Sequence, residues 1–279
     1  FTLVGGLIDL PLSLYQTFVL EQKFGFNKMT WKLWLSDSVK GLLLGLVLGV
    51  PLIAMVLWLM QAGGAYWWLW TWCALVFWQL FLMAIAPNFI MPLFNQFTPL
   101  EDEALKVRVN ALMQRAGFTA KGFFVMDGSK RSAHSNAFFT GFGASKRVVF
   151  FDTLLKQLSP AEMEAVLAHE IGHYRRGHIP KMIALSAAMM AGGFGVIAWL
   201  ARSPWFNLSF GFPADELAPS FLLFGLLSGL VTFWFSPLMN GLSRKHEYEA
   251  DAFAREAVGG PAAMVGALRK LAQKNLTRS

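Results

Sequence analysis

Apolar and polar positions divide this chain into long unbroken runs and one broad polar interruption. Residues 1–20 are apolar apart from Asp9 and Gln16, with Pro11 inside. That run predicts a kinked or partial membrane helix. Residues 21–37 mix Lys23, Lys28 and Lys32 with Trp31 and Trp34, a combination suited to the membrane–water boundary. Residues 38–61 are almost continuously apolar, enough to cross about 30 Å of hydrocarbon. Gly63-Gly64 predicts a tight turn. A second span follows at 65–86, with Tyr66, Trp67, Trp68, Trp70 and Trp72 crowded at one end as an aromatic belt. Residues 181–201 and 218–239 predict two further spans.

The interruption runs from Asn88 to Pro180, after Pro87 closes the second span. Thr98-Pro99-Leu100-Glu101 fits a capping box with proline at the first helical position. It predicts a helix to about Arg115, stopped by Gly117. Strand-like runs follow at Phe123–Asp127, Asn136–Phe142 and Arg147–Asp152, with turns at Gly128 and at Gly141 with Gly143. Ser159-Pro160-Ala161-Glu162 repeats the capping-box pattern and opens a helix that Gly177 should end. The loop at 202–217 holds Arg202, Asp215 and Glu216, and after Pro237 the chain turns polar through Arg244-Lys245-His246-Glu247 to a basic tail. The predicted fold is mainly α: a polytopic helical membrane protein with one water-facing domain containing a small β-sheet. Its expected parts are membrane helices at 1–87, a water-facing domain at 88–180, a membrane helix pair at 181–239 and a carboxyl-terminal segment at 240–279.

Composition agrees with a membrane protein. Of 279 residues 55% are hydrophobic and 15% charged, against about 25% charged in soluble domains; mean hydropathy is +0.46. The net charge of +7 points to basic loops rather than to nucleic acid. Residues 88–180 carry eleven Lys and Arg, residues 240–279 carry seven, and the connections at 62–65 and 202–217 carry one between them. The positive-inside tendency therefore puts 21–37, 88–180 and 240–279 on the cytoplasmic face. Cys73 is the only cysteine, so neither an internal disulfide nor a cysteine-based zinc site is available. The chain opens at Phe1 inside an apolar segment and reads as a piece of a longer protein.

The chemistry centres on His169-Glu170-Ile171-Gly172-His173. Residues four apart on a helix lie about 40° apart around its axis, so the two imidazoles share a face and can grip one zinc ion beside Glu170. A third ligand is needed. The extension H-E-x-x-H-x-x-G-x-x-H fails, because its last positions are Arg176 and Ile179. His178, five residues past His173, would sit about 140° away on the same helix and reads as a solvated helix-end residue. Glu247, in Glu247-Tyr248-Glu249-Ala250-Asp251, is the stronger candidate. Two spans separate it from His173, so both return to one side. Asp251, on the same helix face, would accept a hydrogen bond from a ligating imidazole. Glu249 is the weaker alternative ligand, and a solvated charged face is the competing reading. Two His and one Glu leave a fourth zinc position for water, with Glu170 to take its proton. Arg244, His246, Tyr248 and His134 are unranked candidates for steadying the oxyanion. The run from Asn136 to Gly141 could offer a strand edge to an extended substrate, or be a plain core strand.

Several stretches together resemble one family. They are Glu21 to Thr30, Pro92-Leu93-Phe94-Asn95-Gln96-Phe97, Ser129 to Phe139, Lys146 to Leu155, the His169–His173 motif and Ser243 to Ala254. The chain resembles the integral-membrane zinc proteases of the type 1 CAAX prenyl endopeptidase family, which trim isoprenylated proteins. The resemblance implies membrane helices around a water-filled chamber with zinc near its cytoplasmic end. It makes His169, His173 and Glu247 the ligands and Glu170 the base. A bacterial member in the inner membrane is expected, acting on prenylated CAAX-type or membrane-protein substrates; because lipidated CAAX proteins are not expected in bacteria, damaged or misfolded membrane proteins are the alternative. The family has seven spans against four clear ones and one partial here, so an amino-terminal span is expected ahead of this chain. A further segment with assisting histidines is expected after it. Competing readings are an HtpX-like quality-control protease, a site-2 intramembrane protease, and a zinc-binding scaffold or chaperone that does not cleave. Arg175 and Arg176 flanking the motif disfavour the site-2 reading. A transporter ranks last, since Asp9 is the only acid within the spans.

Overall fold

The computed structural model describes residues 2–118, 120–141, 146–214 and 216–275. Phe142 and Gly143, assigned from sequence to a strand and a turn, and Asp215 in the 202–217 loop lie outside the described residues. The chain divides into two compact units, Phe1–Leu43 with Ala84–Gly172 and Ala250–Ser279, and Leu44–Met83 with His173–Glu249. The divisions at 172/173 and 249/250 fall within helices that are continuous across them.

Helices in chain order are α1 (Thr2–Tyr15), α2 (Trp31–Ala62), α3 (Trp67–Ile85), α4 (Met91–Phe94), α5 (Glu103–Arg115), α6 (Asp152–Gln157), α7 (Pro160–Arg175), α8 (His178–Ala201), α9 (Pro204–Ser209), α10 (Leu217–Val258) and α11 (Ala262–Asn275). Strands are β1 (Phe97–Pro99), β2 (Gly122–Met126), β3 (Ala137–Thr140) and β4 (Arg147–Phe151). They form one mixed sheet in the order β1-β2-β4-β3. β2 and β4 run parallel, from Gly122 opposite Arg147 to Met126 opposite Phe151, while β1 and β3 add antiparallel at the two edges.

The first unit has a conventional apolar core. α5 contributes Leu105, Val109 and Leu112, a single helical stripe. Val148 and Phe150 of β4, Leu154 of α6, Leu167 and Ile171 of α7, Ala254 of α10 and Ala267 of α11 complete it. Arg131 ties the loop after β2 to the amino-terminal helices. Its guanidinium donates to both carboxylate oxygens of Asp37 at 2.8 and 3.2 Å, to Asn95 Oδ1 at 3.1 Å and to the Phe94 carbonyl.

Two boundaries differ from the sequence reading. Thr98 and Pro99 do not cap a helix. They lie in β1 opposite Val125 and Phe124, where an edge strand tolerates proline. The cap is Asp102, whose carboxylate accepts from the Leu105 amide at 2.9 Å. Pro87 does not end the second span either. The helix runs on through a π-helical turn at Ala86–Ile90 into α4. Such a turn can absorb the ladder bond a proline lacks, so the apolar segment extends over Gly64–Phe94.

In the second unit Trp67 packs with Ile197 and Ala198, and Trp72 Nε1 donates to the Ala187 carbonyl at 2.8 Å. Asn207 bridges the Glu216 carbonyl at 2.8 Å and the Ser220 hydroxyl at 3.0 Å, closing the connection ahead of α10. Among the described residues three helices are long and apolar enough to cross a membrane: Trp31–Ala62, Gly64–Phe94 and His178–Ala201. A fourth candidate is α10, bent by 54° between Leu217–Leu230 and Thr232–Val258. Residues 1–20 divide into the 14-residue α1 and a π-helical turn at Gln16–Glu21, short of a full span. Phe77 at 68% exposure and Trp234 at 76% face outward, as lipid-facing side chains do.

The second capping box forms as read. The Ser159 amide donates to Glu162 Oε2 at 2.8 Å, and the Glu162 amide donates back to Ser159 Oγ at 3.4 Å. Lys270 of α11 donates to the same carboxylate at 2.7 Å. That bond first, and the Ser159 amide second, hold the Glu162 carboxyl below its ordinary range. A lowered carboxyl adds stability that is complete above the unfolded-state value and is lost as pH falls through the folded one. The melting-temperature gap between the wild type and Glu162→Gln is therefore expected to be widest near neutrality and to close progressively below the ordinary glutamate range. A pH series of thermal melts in detergent measures it, and a gap independent of pH would contradict the linkage.

Candidate metal centre

The site begins with a close approach of two helices in the first unit. α7 turns Leu167, Ala168, Ile171 and Gly172 inward. A Cβ built on Gly172 would stand 3.0 Å from the Ala250 Cα, 3.1 Å from the Ala250 carbonyl oxygen and 3.2 Å from the Phe253 Cβ. Two of these neighbours are backbone and cannot rotate aside. Glycine at 172 therefore lets α10 lie against α7, with Ala250 fully buried at the contact.

Glu247 and Asp251 of α10 lie on either side of Ala250, and each meets one histidine of α7. In the first unit Asp251 Oδ1 lies 2.7 Å from His169 Nδ1. In the second, Glu247 Oε1 lies 3.6 Å from His173 Nε2. One donor atom each from His169, His173 and Glu247 lies within 4.8 Å of the others. Two imidazoles and one carboxylate are a donor set that zinc accepts. Asp251 can accept a hydrogen bond from His169 Nδ1–H, which leaves the lone pair on Nε2 as the one able to bind a metal. Glu170 is half-buried on the same turn of α7. Glu247 is 54% exposed and borders a cavity of about 470 Å³ lined also by Gln79, His173, His178, Met182 and His246.

His178 is not the solvated residue read from spacing. It is 3% exposed. Its Nδ1 lies 2.9 Å from His173 Nδ1, and its Nε2 lies 3.0 Å from Glu249 Oε2. The 140° separation holds only along one continuous helix. Gly177, at φ 65°, ends α7 and α8 starts afresh at His178, so the chain turns back on itself. The same change takes Glu249 out of the donor group and gives it to His178. Gly177 between the two histidines was the available signal.

The remaining candidates are dispersed. His246 is buried, its ring stacked on that of His178 at 4.0 Å and 14°. Tyr248 is 71% exposed and Arg244 is exposed. In the first unit His134 stacks on Phe26 at 4.6 Å, and its carbonyl accepts from Thr153 Oγ1 at 2.9 Å. The Asn136 carbonyl accepts from the Phe151 amide at 3.0 Å, where β3 enters the sheet as an edge strand.

Comparison with known proteins places this arrangement. Residues 1–96 match the family model described as CAAX prenyl protease N-terminal, five membrane helices, and residues 99–279 match Peptidase family M48. The chain belongs to peptidase family M48. CAAX prenyl protease 1 of Saccharomyces cerevisiae is 41% identical over 292 residues, covering 98% of this chain and 64% of the yeast protein. The CAAX prenyl protease 1 homolog of Homo sapiens is 33% identical over 319 residues, covering 99% of this chain and 66% of the human one. The crystal structure of S. mikatae Ste24p superposes with a TM-score of 0.90 at 40% identity, over 99% of this chain and 68% of that one. The chain thus spans about 64% of the length of the yeast relative it matches. The resemblance read from the motifs holds, and so does the fold class: an integral membrane member of the family, mainly α with a small mixed sheet.

Gly172 gives a test in which two effects oppose. Alanine gains about 1 kcal/mol of helix propensity, whereas overpacking against rigid backbone costs about 1–3 kcal/mol. Gly172→Ala is expected to lower the melting temperature, and Gly172→Leu to lower it further. Denaturation in detergent measures both. A Gly172→Ala protein more stable than the wild type would mean that the helix contact yields.

Proposed function

We propose that this protein is a membrane-embedded zinc metalloendopeptidase acting on prenylated CAAX-type or membrane-protein substrates. The observation that carries the reading is the donor group of His169, His173 and Glu247, with Glu170 on the same helical turn, in a chain of peptidase family M48. His169, His173 and Glu247 would hold the zinc. Bound there, zinc would lower the pKa of a water to about 7 and polarise a peptide carbonyl. Glu170 acts as general base, accepting the water's proton and passing it to the leaving amine. Asp251 keeps the His169 proton on Nδ1 and fixes the ring. The exposed side of Glu247 leaves room for water and substrate. β3 is the proposed docking edge, where an extended peptide adds as a further strand.

The basic segments at 88–180 and 240–279 support a site on the cytoplasmic side. The prenylated class is supported by relatives named CAAX prenyl protease 1. A bacterial inner membrane is the proposed setting of the second reading, HtpX-like quality control, in which unprenylated membrane proteins are the substrates.

The test combines metal analysis with cleavage of a prenylated and an unprenylated peptide, using the chain extended to the length of its relatives. One zinc per chain, chelator-sensitive cleavage, and a fall in kcat of about 10²–10⁴ for Glu170→Gln with zinc retained are the expected results. Preference for the prenylated peptide would favour the first reading, and indifference to the lipid the second. Zinc retained by a wild type that cleaves neither peptide would overturn the enzyme in favour of a scaffold.

A further inference from the structure

His169 rests on a carboxylate, Asp251. His173 rests on a second imidazole ring, His178, and behind that ring stands a carboxylate, Glu249. The three are linked in series within the second unit, and the two spacings, 2.9 and 3.0 Å, are both hydrogen-bond distances. A bond between two Nδ1 atoms needs one donor and one acceptor, so the tautomers of the two rings are linked. The carboxylate of Glu249 can only accept, which puts a proton on His178 Nε2. A neutral His178 then has a lone pair on Nδ1 and can only accept there. His173 must therefore carry its own proton on Nδ1, which turns the lone pair of its Nε2 towards Glu247, 3.6 Å away. The reverse assignment would put a proton on the metal-facing nitrogen and exclude a metal. Burial of His178 at 3% exposure, under the stacked ring of His246, keeps water from supplying a substitute partner.

We infer that His178 is the positioning residue of His173, and that Glu249 acts through it, so that a carboxylate–imidazole relay sets the metal-binding tautomer and ring angle on this side of the site. The inference rests on the reading of His173 as a zinc ligand. It divides the acidic residues of Glu247-Tyr248-Glu249-Ala250-Asp251 into one donor, Glu247, and two supports, Asp251 directly and Glu249 through one intervening ring.

The experiment measures zinc affinity by competition with a chelating dye in detergent, beside the melting temperature of the metal-free protein. His178→Leu is expected to weaken zinc binding by about 10–100-fold. His178→Gln, whose side-chain oxygen can accept from His173 Nδ1–H, is expected to recover most of that loss. Glu249→Leu, on a half-buried position, is expected to cost about three- to tenfold, and it reads the relay even if His178→Leu fails to fold. Zinc affinities of these variants within twofold of the wild type would overturn the inference, as would a glutamine variant no better than leucine, which would mark a packing role alone. A wild type that binds no zinc would instead remove the underlying reading, and His173→Ala, expected to abolish binding, is the control that separates the two.

Discussion

The contact on which this site depends is apolar and almost featureless: one glycine of α7 against one buried alanine of α10. Two helices approach most closely where neither carries a side chain beyond Cβ. Residues one turn either side of such a point are brought into reach of the facing helix whatever their chemistry. Here those residues are imidazoles on α7 and carboxylates on α10, and they pair in register, His169 with Asp251 and His173 with Glu247. The polar groups do not draw the helices together. The packing of Ile171, Leu167 and Ala254 into the core fixes the helices, and the polar groups take the geometry that results.

Partly buried imidazoles need partners for both nitrogens, since an unsatisfied polar group in such surroundings costs several kcal/mol at the upper end. The structure supplies these partners from α8 as well as from α10. The two histidines are supported unequally, one by a charge in direct contact and one through an intermediate ring. Glu170, the proposed base, sits on the same turn of α7 as both rings, so one helix carries three of the proposed functional side chains, which favours precision over adaptability.

Much of this was legible because helical spacing is a strong signal. His169 with His173, and Glu247 with Asp251, are each four apart, and the even number of crossings between the pairs placed them on one side. The long apolar runs likewise showed where helices would lie. The positions where sequence and structure differ share a cause: a local pattern meets a stronger tertiary competitor. Thr98-Pro99 resembles a cap, but strand pairing with β2 outbids it and Asp102 caps the helix instead. Pro87 looks terminal, yet a π-helical turn accommodates it. His178 was placed by counting degrees around a helix that Gly177 had already ended. β1, three residues long, has too few positions for any alternation to show.

β3 ends the sheet on one side. What an open strand margin offers an incoming chain is amide and carbonyl, the part of a polypeptide that is the same at every residue. Affinity at such a margin comes from that shared backbone, and any preference for sequence has to come from the pockets that receive alternate side chains. A segment already folded into its own helix or sheet has its amides and carbonyls occupied and offers the margin nothing.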